Sequence, residues 1–103
     1  MKILWTDRAR RDLLEIGQYI AQDDPRAARA WVEQLQKRAR KAAEAPFAGR
    51  MVPERSAQDI REVIIRNYRI VYRVCEDAIY VLTVFEGHRL LPQEAASDTI
   101  DTP

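Results

Sequence analysis

A chain of 103 residues forms one domain, long enough to bury a single core and too short for a second. With 47% hydrophobic and 32% charged residues the composition excludes intrinsic disorder, and a formal net charge of +1 excludes a bulk field that would draw the molecule onto nucleic acid. One cysteine, Cys75, and one histidine, His88, exclude an internal disulfide and a thiol–imidazole or zinc constellation. No apolar run has the length of a signal peptide or a membrane span, so the expected compartment is the reducing cytoplasm and no membrane partner is expected.

Ile3-Leu4-Trp5 is a short apolar run ending at Thr6-Asp7, which supplies an N-cap, so a brief strand leading into a helix is expected. Ala9, Leu13, Ile16 and Ile20 then recur at the spacing of an amphipathic helix, with Arg8, Arg11, Asp12, Glu15 and Gln18 largely on its wet side. Gly17 sits inside this helix at about 1 kcal/mol relative to alanine, either to admit a close neighbour or simply tolerated. Asp24-Pro25 opens a second helix, since Asp24 can cap and proline suits the first helical position. Its stripe is Ala28, Trp31, Leu35, Ala39 and Ala42, and the short turn between the two stripes makes an antiparallel hairpin. Near its end, Lys37, Arg38, Arg40 and Lys41 complement the helix dipole or, on the sharper reading, face an anionic partner.

Prolines and a glycine bound a loop over residues 46–53, and 54–59 continue it in polar form. Three strands are expected at 60–65, 68–75 and 79–85, joined by Arg66-Asn67, where Asn67 tolerates positive φ, and by 76–78. Links this short make an antiparallel meander. The fold class is therefore α+β: an N-terminal strand, an antiparallel helical hairpin and a three-stranded meander, with both helices on one side of the sheet. Residues 1–92 form the domain, and the polar tail 93–103 carries too few apolar groups to offset its ordering entropy. Alternation puts Tyr68, Ile70, Tyr72 and Val74 towards the helices and leaves Arg69 and Arg73, with Arg61 from the preceding strand, on an open cationic face. Guanidiniums so placed bind phosphates bidentately or receive a partner's carboxylates.

Taken in order, Trp5-Thr6, Asp12-Leu13, Tyr19-Ile20-Ala21, Asp24-Pro25 with Ala27-Ala28, Gly49-Arg50, Arg61-Glu62 and Asn67-Tyr68-Arg69-Ile70-Val71-Tyr72-Arg73 resemble the ParE branch of the RelE/ParE toxins over residues 2–91. The resemblance implies a RelE/ParE-like fold and a toxin silenced by a ParD-like antitoxin, whose ribbon-helix-helix portion binds operator DNA and whose C-terminal part wraps the toxin. It further implies DNA gyrase as the target, whereas RelE toxins cut mRNA in the ribosome.

Cleavage of RNA through its 2′-hydroxyl needs a base, cations for the phosphorane and an acid for the leaving oxygen. Similar RelE chains provide strand lysines, arginines and a C-terminal tyrosine. Here Arg61, Arg69 and Arg89 fill cationic positions, but the second lysine position falls at about Val63 and the tyrosine position at about Ala95. His88, titrating near neutrality like any histidine, is the remaining acid–base candidate. It follows an unusual Phe85-Glu86-Gly87 where many ParE relatives carry a histidine. The expectation is a protein-binding inhibitor, not an enzyme, that meets its target through Arg61, Arg69, Arg73 and Arg89 and its antitoxin through Trp31, Leu35 and Arg50. The alternative is a ribosome-dependent mRNA endonuclease with Arg61, Arg69, Arg89 and His88 as catalytic residues. No glycine-rich phosphate loop or metal-ligand spacing is present, and no cofactor is expected.

Overall fold

Thr6 joins the first strand to the first helix. In the computed structural model, which describes residues 1–87, strand β1 (Lys2–Trp5) runs parallel to strand β5 (Ala78–Glu86), with Lys2 opposite Ala78 and Trp5 opposite Val81. The expectations for His88, Arg89 and the tail 93–103 lie outside the described residues. The Thr6 amide donates to the Val81 carbonyl at 3.1 Å, and its hydroxyl lies 3.0 and 3.1 Å from the Val81 and Leu82 carbonyls. The same oxygen accepts the Ala9 amide at 3.1 Å and so caps helix α1 (Asp7–Ala21).

Strand β1 ends at Trp5, so among the described strands β5 has no neighbour on that side beyond Val81. Asp12 of α1 supplies the acceptor: its Oδ2 receives the Val84 amide at 3.0 Å and the Thr83 hydroxyl at 2.5 Å. A backbone donor at a buried strand edge is thereby paired from a helix. Helix α2 (Pro25–Glu44) begins as expected, with Asp24 accepting the Arg26 and Ala27 amides at 3.1 Å each. Gly17 does serve close packing, since a Cβ there would lie 3.3 Å from Val32 Cγ2 across the hairpin.

The sheet order is β1-β5-β4-β3-β2, with β2 at Arg50–Met51, β3 at Ile60–Ile65 and β4 at Tyr68–Val74. The three-stranded meander is present as expected. The sheet is mixed, because β1 adds in parallel, and it gains β2 and a short 3-10 turn at Pro46–Ala48 that the sequence reading treated as loop. Pairing of β4 with β5 shifts between Val71 and Tyr72, which face Thr83 and Val81, so that Leu82 is left over as a bulge. Positive φ falls on Arg66, at 54°, and not on Asn67 as expected. The first residue of the two-residue loop takes the left-handed conformation, and its guanidinium sits 4.8 Å from the centroid of the Trp31 ring.

Ala9, Leu13, Trp31, Leu35 and Ala39 of the helices pack on Ile70, Tyr72, Ile79, Val81 and Val84 of the sheet. The opposite face is not open, which corrects the sequence expectation. Segment 52–59 crosses it, and Val52, Ile60, Val71, Leu82 and Phe85 form a second small core. Tyr72 ties the chain before β2 to the sheet: its hydroxyl donates to the Pro46 carbonyl at 2.6 Å and its oxygen is approached by the Gly49 amide. Burial pushes this phenol above its usual pKa, against the pull of the Arg38 and Arg61 charges and the Gly49 amide.

A Cβ at Gly49 would lie 2.3 Å from the Tyr72 hydroxyl and 2.9 Å from the Glu62 carbonyl oxygen. Gly49→Ala is therefore expected to lower stability by about 1–3 kcal/mol, the usual result of forcing atoms into a packed site. Urea denaturation checks this; a loss below about 0.5 kcal/mol, the range of ordinary surface substitutions, would mean that the contact is easily relieved.

Candidate functional site

The residues singled out as functional divide between the two faces of the sheet. Residue 65 of β3 opposes residue 68 of β4 across the two-residue turn, so Arg61 opposes Tyr72 while Arg69 opposes Ile64. Directly opposed residues share a face. Arg61 consequently lies on the helix side, and Arg69 and Arg73 on the other, so the three do not form one cationic surface.

Arg69 is 4% exposed. Its Nε donates to Glu62 Oε1 at 2.6 Å, and its terminal nitrogens donate to both oxygens of Glu54 at 2.9 and 2.7 Å, a bidentate pair. The guanidinium also lies 4.9 Å from the centroid of the Phe85 ring. Its pKa is raised above the ordinary arginine value, first by the hydrogen bond to Glu54 and then, against the cost of desolvation, by Glu62. Glu62 is itself buried, and its second oxygen accepts Arg50 Nε from the edge strand β2. Arg50, Arg69, Glu54 and Glu62 are thus linked in one cluster of alternating charges. Arg73, half-buried, reaches Asp59 Oδ2 at 3.5 Å.

Arg61 is held by backbone: Nε donates to the Gln58 carbonyl at 2.8 Å, and one terminal nitrogen to the Gly49 and Phe47 carbonyls at 3.1 and 3.3 Å. The Phe47 ring centroid is 5.1 Å from its guanidinium carbon. Trp31 and Leu35, expected as partly exposed contacts for a partner, belong to the core at 8% and 0% exposure, because the sheet closes over that stripe of α2. Arg50 remains half-exposed.

The apolar surface that does face solvent lies elsewhere. Between the outer sides of α1 and α2 runs a groove of about 640 Å³, floored by Leu13, Gly17, Ala21, Ala28 and Val32 and flanked by Leu14, which is 61% exposed. Arg10, Arg29 and Glu33 stand at its rim. Leu14 was legible as an apolar residue next to, but outside, the Ala9–Leu13–Ile16–Ile20 stripe. Glu62 was legible as a lone carboxylate on the same strand face as Ile60 and Ile64. Glu54, in a polar loop, carried no such signal.

Replacing Arg69 with methionine keeps much of the side-chain volume but leaves Glu62 and Glu54 without their shared guanidinium. The expected loss is about 3–5 kcal/mol, as when one partner of a buried ion pair is removed, against about 1 kcal/mol or less for Arg50→Ala at its half-exposed site. Equal losses in chemical denaturation would mean that Arg50 on the edge strand contributes as much to the cluster as Arg69.

Four likenesses bear on kinship. Y4kP of Sinorhizobium fredii, a protein named for an inferred toxin role, is 40% identical over 94 residues, covering 89% of this chain and 94% of that protein. Toxin RelE2 of Caulobacter vibrioides is 32% identical over 90 residues, covering 86% of this chain and 98% of its own length. A solved structure described as the chromosomal ParDE toxin–antitoxin system from P. aeruginosa superposes with a TM-score of 0.70 at 20% identity, over 84% of this chain and 95% of that one, and shows the same fold. The family description for the ParE toxin of the parDE type II toxin–antitoxin system matches residues 3–91, so the chain belongs to the ParE toxin family.

Proposed function

We propose that this chain acts as a toxin by binding a protein, DNA gyrase, and that a ParD-like ribbon-helix-helix antitoxin silences it and alone carries the contact to operator DNA. The observation that supports this reading over RNA cleavage is the commitment of the strand arginines. Phosphorane stabilisation needs cations directed at the substrate. The charge of Arg69 is instead balanced by Glu54 and Glu62 inside the molecule, and Arg61 is engaged by the carbonyls of residues 47, 49 and 58. Gyrase as target also places the protein in the cytoplasm; among the described residues, no helix is long and apolar enough to cross a membrane.

The groove between α1 and α2 is the surface proposed for the antitoxin. An apolar patch of this size beside an exposed leucine is costly to leave in water and suits one amphipathic segment, with Arg29 at the rim to meet its carboxylates. Burying a leucine side chain contributes about 1.5–3 kcal/mol.

Purified protein is expected to inhibit supercoiling of relaxed plasmid by gyrase, to leave translation in a reconstituted system intact, and to lose its effect when antitoxin is added. Ribosome-dependent cuts in mRNA with gyrase unaffected would move the assignment to the nuclease reading. In the same system Leu14→Glu should weaken antitoxin binding about tenfold or more, or about 1.4 kcal/mol, without changing the melting temperature, because that side chain is mostly in solvent. Unchanged affinity would remove the groove from the antitoxin interface.

A further inference from the structure

On the flank of α2 away from that groove, Gln34, Lys37, Arg38 and Lys41 surround a recess of about 360 Å³ whose apolar wall is Ile65 of β3. The helical repeat of 3.6 residues puts these four positions on one face. Among the described residues, none of the three cations takes part in an ion pair. The helix dipole accounts for one of them only. Its effect fades within the last turn, where Lys41 is the basic residue, and Lys37 and Arg38 lie further back.

The recess adjoins an open strand edge. Strand β2 pairs with β3 at Arg61 and Glu62 alone, so among the described strands β3 has no outer neighbour from Val63 to Ile65. In an antiparallel ladder alternate residues direct their amide and carbonyl to opposite sides, and the two-residue turn makes Ile65 and Tyr68 the closing pair. Ile65 and Val63 then bond inward to β4, and Ile64 offers its amide and carbonyl outward. A strand laid along this edge would run beside α2, with every second side chain turned towards Lys37, Arg38 and Lys41.

We propose that this flank docks an extended acidic segment of a partner protein, which adds as a strand to β3 at Ile64 and sets alternate carboxylates against Lys37, Arg38 and Lys41. Strand addition takes affinity from main-chain hydrogen bonds and selectivity from the alternate side chains. A second copy of this chain fits poorly, since pairing two such edges would bring the two sets of cations together. A nucleic-acid strand fits less well than a peptide: its phosphodiester backbone offers acceptors but no amide donor for the Ile64 carbonyl, and Ile65 and the 48% exposed Ile64 flank the path with apolar surface. The surface is separate from the antitoxin groove, so either reading can fail without the other.

The test uses the full chain, isotope-labelled for NMR, with a short peptide of alternating valine and glutamate, the same peptide with glutamine for glutamate, and an oligothymidylate. The glutamate peptide is expected to bind, more weakly as salt rises, with slowed amide exchange at Ile64 and shift changes at residues 34–41 and 63–66. Lys37→Glu with Lys41→Glu should weaken it about tenfold or more, and Leu14→Glu should not. Both lysines are exposed, and circular dichroism verifies the fold; Lys37→Gln with Lys41→Gln is the milder pair if charge reversal disturbs it. Binding no tighter than that of the glutamine peptide, indifference to the lysine changes, or an unaltered Ile64 amide would overturn the proposal. A tighter, lysine-dependent complex with oligothymidylate would overturn it in favour of a phosphate-reading surface.

Discussion

The carboxylate of Glu62 is the group on which the far side of the molecule depends. It is taken wholly out of water on β3, where an unpaired charge would cost several kcal/mol, and it is retained because Arg69 of β4 and Arg50 of β2 approach it from either side. Arg69 then extends the cluster to Glu54, so three strands and the crossing segment are fastened through one set of hydrogen bonds. A desolvated cluster of this kind tolerates few alternative arrangements, because each shift leaves a donor or an acceptor without its partner. That constraint holds 52–59 over the sheet and lets Val52, Ile60, Val71, Leu82 and Phe85 close into a second core beneath it.

The helix side obeys a different logic. There the contacts are apolar and the polar work is done at boundaries, by Thr6 between β1 and α1 and by Asp12 against the edge of β5. Because Thr6 caps α1 and Asp12 lies in its second turn, the start of the helix is fixed to the end of β5 that β1 does not cover. The outer sides of α1 and α2 are consequently turned to solvent, and the sheet cannot reach the groove between them. The core and the apolar groove thereby lie on opposite sides of the same two helices. Arg61 and Arg69, expected as recognition groups, are held by carbonyls and carboxylates within the molecule, while apolar and lysine-bearing flanks face outward.

Membership in the ParE toxin family and the shared fold agree with this architecture, but neither fixes which surface meets which partner. The fold supplies a helical hairpin over a mixed sheet, and function resides in what is grafted onto its exposed flanks. The two flanks proposed above for partners, the apolar groove along α1 and the basic recess between α2 and β3, lie on opposite sides of α2.

Much of the fold was legible because its determinants are local. The stripes of α1 and α2, the caps at Thr6 and Asp24 and the alternation of β3 to β5 each lie within a few residues of one another, and the structure has all of them. The parallel docking of β1, the partners of Arg69 at positions 54 and 62, and the separation of Arg61 from Arg69 by pairing register were not legible. The burial of Trp31 and Leu35 followed from their stripe, but its completeness did not. The amino-acid sequence by itself determined which segments are helix and strand and which side of each is apolar, since periodicity and capping act through neighbouring residues. Only the tertiary structure decided which charges stay in water, because a strand arginine is free or neutralised according to what crosses its face, and the crossing segment 52–59 has no periodic pattern to announce where it will lie.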